Sequence, residues 1–481
     1  MNQRQVIPML AVLYGSAFVA SFNENTINVA LISIMDEFSI SANTAQWLVT
    51  GYMIVTAIVV TTTAFLFKRL RLRTLYLSAA TFLGAGLIVD MFMPTWPLFL
   101  IFRLIQAVGT GLFIPLMMST VLAVAPHEKT GTYLSIGSCM ITFGPALAPV
   151  VSGVMVTTFG WRSVLIPPAA VIVVLAIAGV FFMRNIDEPE PVKLDVASVA
   201  LSAAGLFFFV FGLSLIASET ALALAAIVVG LGALAAFVVR QHRISNPLLN
   251  LGPLHNSLFA PVCALMVVAM MTTFSMSVLL PLYFEGALGT TALAAGALLL
   301  APILVNAVTA LIGGKVMDTK GCWPLLPAGF GLIAVGQGAV CLFATQLSLV
   351  GVLLASVAVY AGVGLILSPS QAAGLQTLLP HQHPHGVAIL NTFIQIAASI
   401  GPSLFIGVLS AVAANTEAAG AAATVAQADG FAAAVAVACV IALIGTVIAF
   451  LYARKRRALA LEATAEDAVA DAEARAIDAI E

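Results

Sequence analysis

Residues 44–67, TAQWLVTGYMIVTAIVVTTTAFLF, form an uncharged run that ends at the basic stretch 68–73, KRLRLR. A helix that crosses a bilayer needs about twenty residues of this kind. We count fourteen such runs along the 481 residues, and the mean hydropathy of the chain is +1.10. Only 8% of its residues are charged, against about 25% in ordinary soluble proteins. The composition therefore excludes a soluble globular protein.

The positive charges are concentrated in alternate gaps between these runs. With the N-terminus placed in the cytoplasm, the N-terminal segment, the even-numbered gaps and the C-terminal tail together hold 17 of the 19 Lys and Arg residues. Cationic residues in short loops are retained in the cytoplasm. The pattern predicts a multi-pass protein of the cytoplasmic membrane with both termini in the cytoplasm. The two exceptions are Arg162, in an external gap, and Arg103, inside the fourth run.

The runs predict an all-α polytopic membrane protein with fourteen transmembrane helices, since lipid offers no partner to unpaired backbone groups. The predicted spans are 8–33, 44–67, 75–94, 98–124, 132–158, 164–183, 197–217, 220–239, 259–283, 292–313, 324–345, 348–370, 386–411 and 431–453. The predicted units are a six-helix bundle over 1–183, an inserted helix pair with cytoplasmic linkers over 184–258, a second six-helix bundle over 259–453 and an acidic, Ala-rich cytoplasmic tail over 454–481.

Two landmarks recur in the two predicted bundles. A Gly-Pro pair lies at 144–145 in the fifth run and at 401–402 in the fifth run after the insertion. The loop 68–73 corresponds to the loop 314–321 at a similar offset. An even number of inserted spans leaves both halves in the same orientation, so the sequence predicts parallel repeats. The Ala-rich gap 412–430 is expected to be a loose external loop.

The first run contains polar side chains that are expensive to place in lipid, namely Asn23, Glu24 and Asn28. Glu24 and Asn28 are four residues apart and should share a helix face. Ionisable groups inside spans are usually functional, and a carboxyl group here could bind and release protons if water reaches it from alternate sides. Alternatively, Glu24 only anchors a helix contact to Arg103 or to an amide.

The fourth run places Arg103 and Gln106 three residues apart on one face. A central Arg costs roughly 2.5–3.5 kcal/mol on insertion scales, although Arg103 is near enough to the external end to reach the interface. We expect a pair between Arg103 and Glu24 that keeps the acid ionised. Asp90, at the external end of the third run, is expected to be interfacial.

Polar residues elsewhere leave several alternatives open. Asn306, Asn391 and Gln395 either line a substrate cavity or connect helices through hydrogen bonds. Histidines at 381, 383 and 385 could hold a metal, but a hydrated cytoplasmic turn is the favoured interpretation. The five Cys residues have unrelated spacings, which predict neither a disulfide framework nor a metal site. A net charge of -2 gives no indication of nucleic-acid binding.

Four stretches occur in one order along the chain: Asn23-Glu24 with Asn28 to Leu31, Arg103 to Gly111, Gly144-Pro145 to Gly153, and His385 to Thr392 with Gln395 and Gly401-Pro402. Together they resemble signatures of the major facilitator superfamily, in particular its fourteen-span drug:proton antiporters of the lincomycin-resistance type. The resemblance implies two six-helix bundles plus two extra central helices. It also implies an antiporter motif at a helix-packing site, made of Gly144, Pro145, Pro149 and Gly153.

The sequence departs from this family in several places, two of which concern the proton site and the cytoplasmic gate. Asn23 stands where many members have Asp, so the acid has moved to Glu24. The loop 68–73 lacks the Asp of the family's loop motif, whereas the second-half loop retains Asp318 and could hold a cytoplasmic gate by itself. The residues assigned to that gate are Arg69, Arg73, Gly314, Asp318 and Gly321.

The leading interpretation is a secondary antiporter that exports amphipathic drugs or toxic small molecules in exchange for protons. Glu24 is the expected protonation site and Arg103 modulates it. The substrate cavity is assigned to Asn23, Asn28, Gln106, Asn306, Asn391 and Gln395. The proton gradient is the expected driving force, without a cofactor or a metal, and the chain is expected to act as a monomer.

Two other functions stay open. One is the dedicated export of an endogenous metabolite, such as an amino acid or an antibiotic precursor. The other is a polytopic membrane enzyme, such as a lipid-linked transferase. The enzyme has less support, because the loops are short and no Gly-rich phosphate loop is present.

Overall fold

The computed structural model describes residues 3–40, 42–45, 47–186, 188–189, 195–215, 220–244 and 247–478. Within these residues, fourteen helices are long and apolar enough to cross a membrane, as the sequence predicts. They are α1 Gln3–Thr26, α2 Trp47–Arg69, α3 Leu72–Asp90, α4 Trp96–Val124, α5 Thr130–Phe159, α6 Ile166–Phe182, α7 Val196–Leu215, α8 Thr220–Arg243, α9 Phe259–Gly286, α10 Ala292–Lys320, α11 Leu325–Thr345, α12 Leu349–Leu375, α13 His383–Ala418 and α14 Ala423–Asp478.

The last two helices extend beyond their predicted spans. α13 continues to Ala418 and α14 begins at Ala423, so the prediction of a loose loop over 412–430 is wrong. Ala has the highest helix propensity, which is why these Ala-rich segments continue the helices. α14 also runs on through most of the predicted tail. Parts of the linker and tail predictions fall on residues 187, 190–194 and 479–481, which lie outside the described residues.

The same six helix pairs pack together in each half of the chain. In the first half they are α1–α4, α1–α5, α1–α6, α2–α4, α3–α4 and α3–α6. The corresponding pairs of the second half are α9–α12, α9–α13, α9–α14, α10–α12, α11–α12 and α11–α14. Repetition in the same order and direction is the arrangement of parallel repeats. The two halves meet along two seams, which we call the α5–α10 seam and the α2–α13 seam.

The inserted helices α7 and α8 pack on each other, and α7 also packs against α2 and α13. The pair therefore lies beside the α2–α13 seam. Consecutive spanning helices run in opposite directions, so the even-numbered gaps share one side of the molecule. We call the side with loops 70–71 and 321–324 the basic face, since most Lys and Arg residues lie there.

Arg162, the cation of the opposite face, is held by a carboxylate. Its Nη2 atom lies 2.6 Å from Oε1 of Glu37. Oε2 of Glu37 accepts a 2.5 Å hydrogen bond from the indole of Trp161. The guanidinium also donates to the backbone carbonyls of Met91 and Met93. Arg162 thus connects three chain segments. This structural role explains why a cationic residue lies on the face opposite the basic face.

This clamp should make stability depend on pH. Burial opposes ionisation of Glu37, but hydrogen bonds from Arg162 and Trp161, with the charge of Arg162, outweigh it and hold the pKa of Glu37 below its usual range. A lowered folded-state pKa stabilises the protein above the unfolded value of about 4.3, and the effect is lost as the pH falls below it. We predict that Glu37→Gln lowers the Tm in detergent at neutral pH. The difference from wild type should vanish near about pH 3, and a constant difference would contradict the prediction.

α1 and α5 pack backbone against backbone at Gly144. A Cβ atom there would lie 2.6 Å from the backbone nitrogen of Phe22 and 2.8 Å from the carbonyl carbon of Ser21. The next residue, Pro145, has no N–H to donate to the carbonyl of Ile141. Ser21 Oγ donates to that carbonyl instead, at 2.7 Å. The glycine lets α1 approach, and the proline leaves a carbonyl for α1 to bind.

The other two residues of the predicted packing motif do not behave in this way. Nothing lies within 4 Å of the position of a Cβ atom at Gly153, and Pro149 is exposed. A packing role is therefore absent at Gly153, because no described residue packs against that side of α5.

This contrast provides a matched pair of substitutions. Gly144→Ala should destabilise the protein by about 1–3 kcal/mol, the usual cost of overpacking a tight contact. Gly153→Ala should be neutral or slightly stabilising, because Ala is the better helix former. Thermal unfolding in detergent measures both variants. Equal Tm values would show that α1 can move away from α5 without cost.

Candidate functional site

A buried network of polar side chains joins α1, α2, α3 and α4. Its centre is Arg103, which is 0% exposed although it carries a charge. Nη1 of Arg103 donates to Oδ1 of Asn23 at 3.2 Å and to Oε1 of Gln106 at 3.0 Å. The guanidinium carbon lies 4.0 Å from the ring centroid of Tyr52, within the range of a cation–π interaction. The expectation that Arg103 reaches the interface is wrong, because these partners keep it inside.

Arg103 binds the backbone of α1 rather than the carboxylate of Glu24. Its Nη2 atom donates to the carbonyl oxygens of Asn23 at 3.0 Å and Glu24 at 3.3 Å. α1 ends at Thr26 and gives way to a 3₁₀ turn over Ile27–Ala30. The helical path continues through this turn, since Thr26 and Leu31 on either side of it keep right-handed helical dihedral angles. The two backbone carbonyl oxygens thus supply part of the counter-charge.

The expected Arg103–Glu24 ion pair is not formed. Among the described residues, the ion pairs within 4.0 Å join Arg162 to Glu37 and Arg240 to Asp195. The Glu24 carboxyl group nevertheless lies within electrostatic reach of Arg103, and Glu24 is only half-buried. It is therefore an acid beside a buried cation that keeps some accessible surface.

Asp90, which the sequence places at the interface, belongs to this network. It is 0% exposed rather than interfacial, and its Oδ2 atom accepts a 2.8 Å hydrogen bond from Nε2 of Gln106. Gln106 thus faces Arg103 with its oxygen and Asp90 with its nitrogen. The Oδ1 atom of Asp90 has no partner among the described residues. Its place at the end of an apolar run gave no signal of this burial.

Two further polar groups complete the network on α2 and α4. Asn23 Nδ2 donates to the Tyr52 hydroxyl at 3.1 Å and to Oε1 of Gln106 at 3.2 Å. The Tyr52 hydroxyl lies 2.5 Å from Oγ1 of Thr110. Of the predicted cavity residues, the structure therefore brings Asn23 and Gln106 together.

The other predicted cavity residues lie elsewhere. Asn28 is exposed, and the 3₁₀ turn, with three residues per turn, shifts it from the expected α-helical register with Glu24. Asn306 is 1% exposed and its Oδ1 atom has no partner among the described residues. Asn391 donates to Val387 O in its own helix at 2.9 Å and lies 3.4 Å from Met118 Sδ on α4. Gln395, one turn further on α13, is half-buried.

The α5–α10 seam is closed at the basic face by Asp318. Its carboxylate accepts hydrogen bonds from the backbone N–H groups of Gly131 at 2.7 Å and Thr132 at 2.8 Å. The Thr132 hydroxyl donates a third, at 2.5 Å. Gly131 and Thr132 lie in the first turn of α5, where free N–H groups and the helix dipole favour an anion. The carboxylate of one half thus binds a helix N-terminus of the other. We call this interaction the Asp318 latch.

Small residues let the two halves approach at this point. A Cβ atom at Gly314 would lie 2.7 Å from the carbonyl oxygen of Gly131. One turn deeper, Ser135 Oγ and Ser368 Oγ are 2.8 Å apart across the halves. Gly321 has a φ of +72° and ends α10 just after the latch, a conformation that suits glycine.

The two arginines assigned to the gate do not cross between the halves. Arg73 Nη2 donates to Val180 O at 2.7 Å, and the Arg73 backbone N–H donates to Asn185 Oδ1. Arg73 therefore caps the end of α6 within the first half. Arg69 is exposed at the last residue of α2.

The described residues contain no group of three or more His, Cys, Asp and Glu side chains that could hold a metal. His385 is 2% exposed, so it does not belong to a hydrated turn. Its Nδ1 atom accepts a hydrogen bond from the backbone N–H of Asn250 at 3.1 Å. His385 thus connects α13 to the linker that follows the inserted pair.

Two parallel six-helix bundles, with a buried charged network in the first and a seam between the two, are the architecture of a membrane transport protein. The chain belongs to the Major Facilitator Superfamily, whose profile matches residues 13–402.

Known proteins with similar sequence or structure are consistent with this assignment. The chain is 32% identical over 455 residues to an uncharacterized MFS-type transporter, YcnB, of Bacillus subtilis, covering 93% of this chain and 95% of that protein. It is 30% identical over 408 residues to the lincomycin resistance protein LmrB of Listeria monocytogenes, covering 84% and 87%. The human organic anion transporter MFSD10 shares the fold, with a TM-score of 0.68 at 11% identity, over 93% of this chain and 100% of that chain.

The Asp318 latch can be tested without a transport assay. Asp318→Asn removes the charge that holds the Gly131 and Thr132 amides. Loss of one hydrogen bond to a charged group, about 1.5–3 kcal/mol, corresponds to roughly ten- to a hundredfold faster amide exchange. We predict this increase in hydrogen–deuterium exchange for the peptide that contains the start of α5. The control Lys320→Gln, on the same turn of α10, should leave exchange unchanged, and unchanged exchange in Asp318→Asn would contradict the latch.

Proposed function

We propose that the protein exports amphipathic small molecules in exchange for protons, with the basic face in the cytoplasm. The observation that carries this proposal is the buried Arg103 with two carboxyl groups, Glu24 and Asp90, near it and no ion pair. Retention of cationic loops in the cytoplasm supports the orientation. The lincomycin resistance relatives support export of drug-like substrates.

The charge balance of the network supports a role in proton exchange. A net charge is costly to bury, so one Arg with two nearby acids favours the state in which one carboxyl group carries a proton. Loss of that proton leaves a net negative site. A cationic or hydrogen-bond-donating substrate would compensate for it, so substrate and proton would compete.

Glu24 is the better candidate for exchange with solvent, because it is half-buried whereas Asp90 is 0% exposed. Gln106 holds Asp90 and Arg103 in one hydrogen-bonded chain. In this assignment Asp90 is a positioning residue that fixes Gln106, and thereby Arg103. Protonation of Glu24 would weaken its attraction to Arg103 and favour the change between the two open states.

Closure at one face supports alternating access. The Asp318 latch holds the halves together at the basic face, and Glu24 retains accessible surface at the same time. In the proposed cycle, this conformation exchanges protons and releases substrate outside the cell. Release of the latch then opens the network toward the cytoplasm.

The test uses everted vesicles from an efflux-deficient bacterial host and a panel of lincosamides, dyes and quaternary ammonium compounds. We predict that Glu24→Gln reduces substrate-driven proton release to background while the protein is still expressed. Asp90→Asn keeps an acceptor for Gln106 and should slow transport but retain proton release. Glu285→Gln, which changes an exposed acid at the end of α9, is the control and should behave as wild type.

Undiminished proton release in Glu24→Gln would refute the assignment of Glu24. Transport of one metabolite, with no response to the drug panel, would instead support the dedicated exporter.

A further inference from the structure

A separate cavity of about 270 Å³ lies beside the α2–α13 seam. Its walls come from α2, α7, α8, α13 and the linker after α8, so it is outside the Arg103 network. Most of its lining is apolar, with Leu206, Phe237, Ile389 and Phe393 among the side chains that form it. The volume is close to the lower end of the range of ligand pockets, about 300–1,000 Å³.

α13 separates this cavity from the centre of the protein. Ile389, Phe393 and Ile396 line the cavity, whereas Asn391 contacts Met118 on α4. At 100° per residue, the cavity-lining positions lie on the side of α13 opposite Asn391. The cavity is therefore a different site from the one assigned to the exported substrate.

The polar end of the cavity is at the basic face. His242, the penultimate residue of α8, and His255, in the linker that follows, both line it. Their ring centroids are 5.8 Å apart, edge to face. Lys455 Nζ donates to Ser257 Oγ at 3.0 Å, two residues beyond His255. Two exposed histidines therefore border the cavity at this end, with Lys455 near them, whereas the accessible lining of the cavity itself is apolar.

The acid of the inserted pair does not offset these donors. Asp195, just before α7, binds Arg240 of α8 through two hydrogen bonds, of 2.8 and 2.9 Å. These bonds and the one from Ser198 hold the pKa of Asp195 well below its usual range. Its charge is therefore matched by Arg240, and the end of the cavity suits an anion better than a cation.

We infer that this cavity binds one acyl chain of an anionic phospholipid from the leaflet at the basic face, with its phosphate against His242 and His255. The apolar walls match a hydrocarbon chain, and the two imidazoles can donate hydrogen bonds to phosphate oxygens. A lipid in that leaflet has its headgroup at the depth of the histidines and its chain at the depth of the apolar walls. A cationic amphiphile would place its charge near Lys455.

The test is photo-crosslinking of the full-length protein in proteoliposomes of neutral phosphatidylcholine. A trace of phosphatidylglycerol with a diazirine in its acyl chain is added, and the labelled peptides are mapped by mass spectrometry. Labelling should concentrate on α8 near Phe237 and on α13 near Phe393. The same diazirine on phosphatidylcholine should label these peptides weakly.

Variants separate the headgroup contact from the chain contact. His242→Phe and His255→Phe keep an aromatic ring but remove the donor, and each should reduce phosphatidylglycerol labelling by about tenfold, the effect of losing one charged hydrogen bond. Val238→Trp should reduce it by filling the cavity. The control Val229→Trp changes another lipid-exposed position of α8, 52% exposed and outside the cavity, and should have no effect.

Three results would overturn the inference. Equal labelling by the two lipids would show a non-specific apolar contact, and absence of labelling in the cavity would show that no acyl chain enters. Displacement of the lipid by lincomycin at low concentration would identify an entry site for substrate. None of these readouts depends on proton coupling. The lipid-binding inference can therefore be refuted while the proposed transport function stands, and the transport function can be refuted while the lipid-binding inference stands.

Discussion

The buried charge of Arg103 is the constraint on which the arrangement of the first half depends. A guanidinium without water needs many partners, and here they come from several helices at once. α1 must turn two backbone carbonyls toward Arg103, and Tyr52 must present its ring from α2. Gln106 must turn its oxygen inward, which leaves its nitrogen for Asp90. The position of one side chain thus fixes how four helices meet.

The apolar runs predicted the number, order and approximate bounds of the spanning helices, because lipid imposes one solution on such segments. The prediction of secondary structure was less accurate outside the membrane-spanning segments, where lipid imposes no constraint. Beyond the spans, the propensity of Ala decides the structure, and α13 and α14 extend into the segment 412–430, which was predicted to be a loop. Likewise, the end of α1 at Thr26 follows from tertiary contacts that no local pattern encodes.

The site was predicted in part, and the errors share a cause. Arg103 and Gln106 were placed on one helix face, and the structure joins both to Asn23, since polar residues in an apolar helix must find one another. Asp90 was misplaced, since its position at the end of a run suggests the interface and only packing shows that Gln106 covers it. The expected ion pair of Arg103 was replaced by backbone carbonyls, which a reading of side chains cannot anticipate. Gly153 illustrates the same limit, because a motif residue contributes packing only where a neighbour is present.

The two seams between the halves are related by the internal repeat but differ in chemistry. At the α5–α10 seam a carboxylate binds backbone N–H groups, an interaction that is lost once its geometry changes by a fraction of an ångström. Beside the α2–α13 seam, contact is largely between apolar surfaces, which attract without directional preference and tolerate sliding. The contact between the halves is therefore directional on one side of the molecule and largely non-directional on the other. If the Asp318 interaction is broken, the halves should rotate about the apolar α2–α13 side. The opening movement should then be asymmetric although the two halves are repeats.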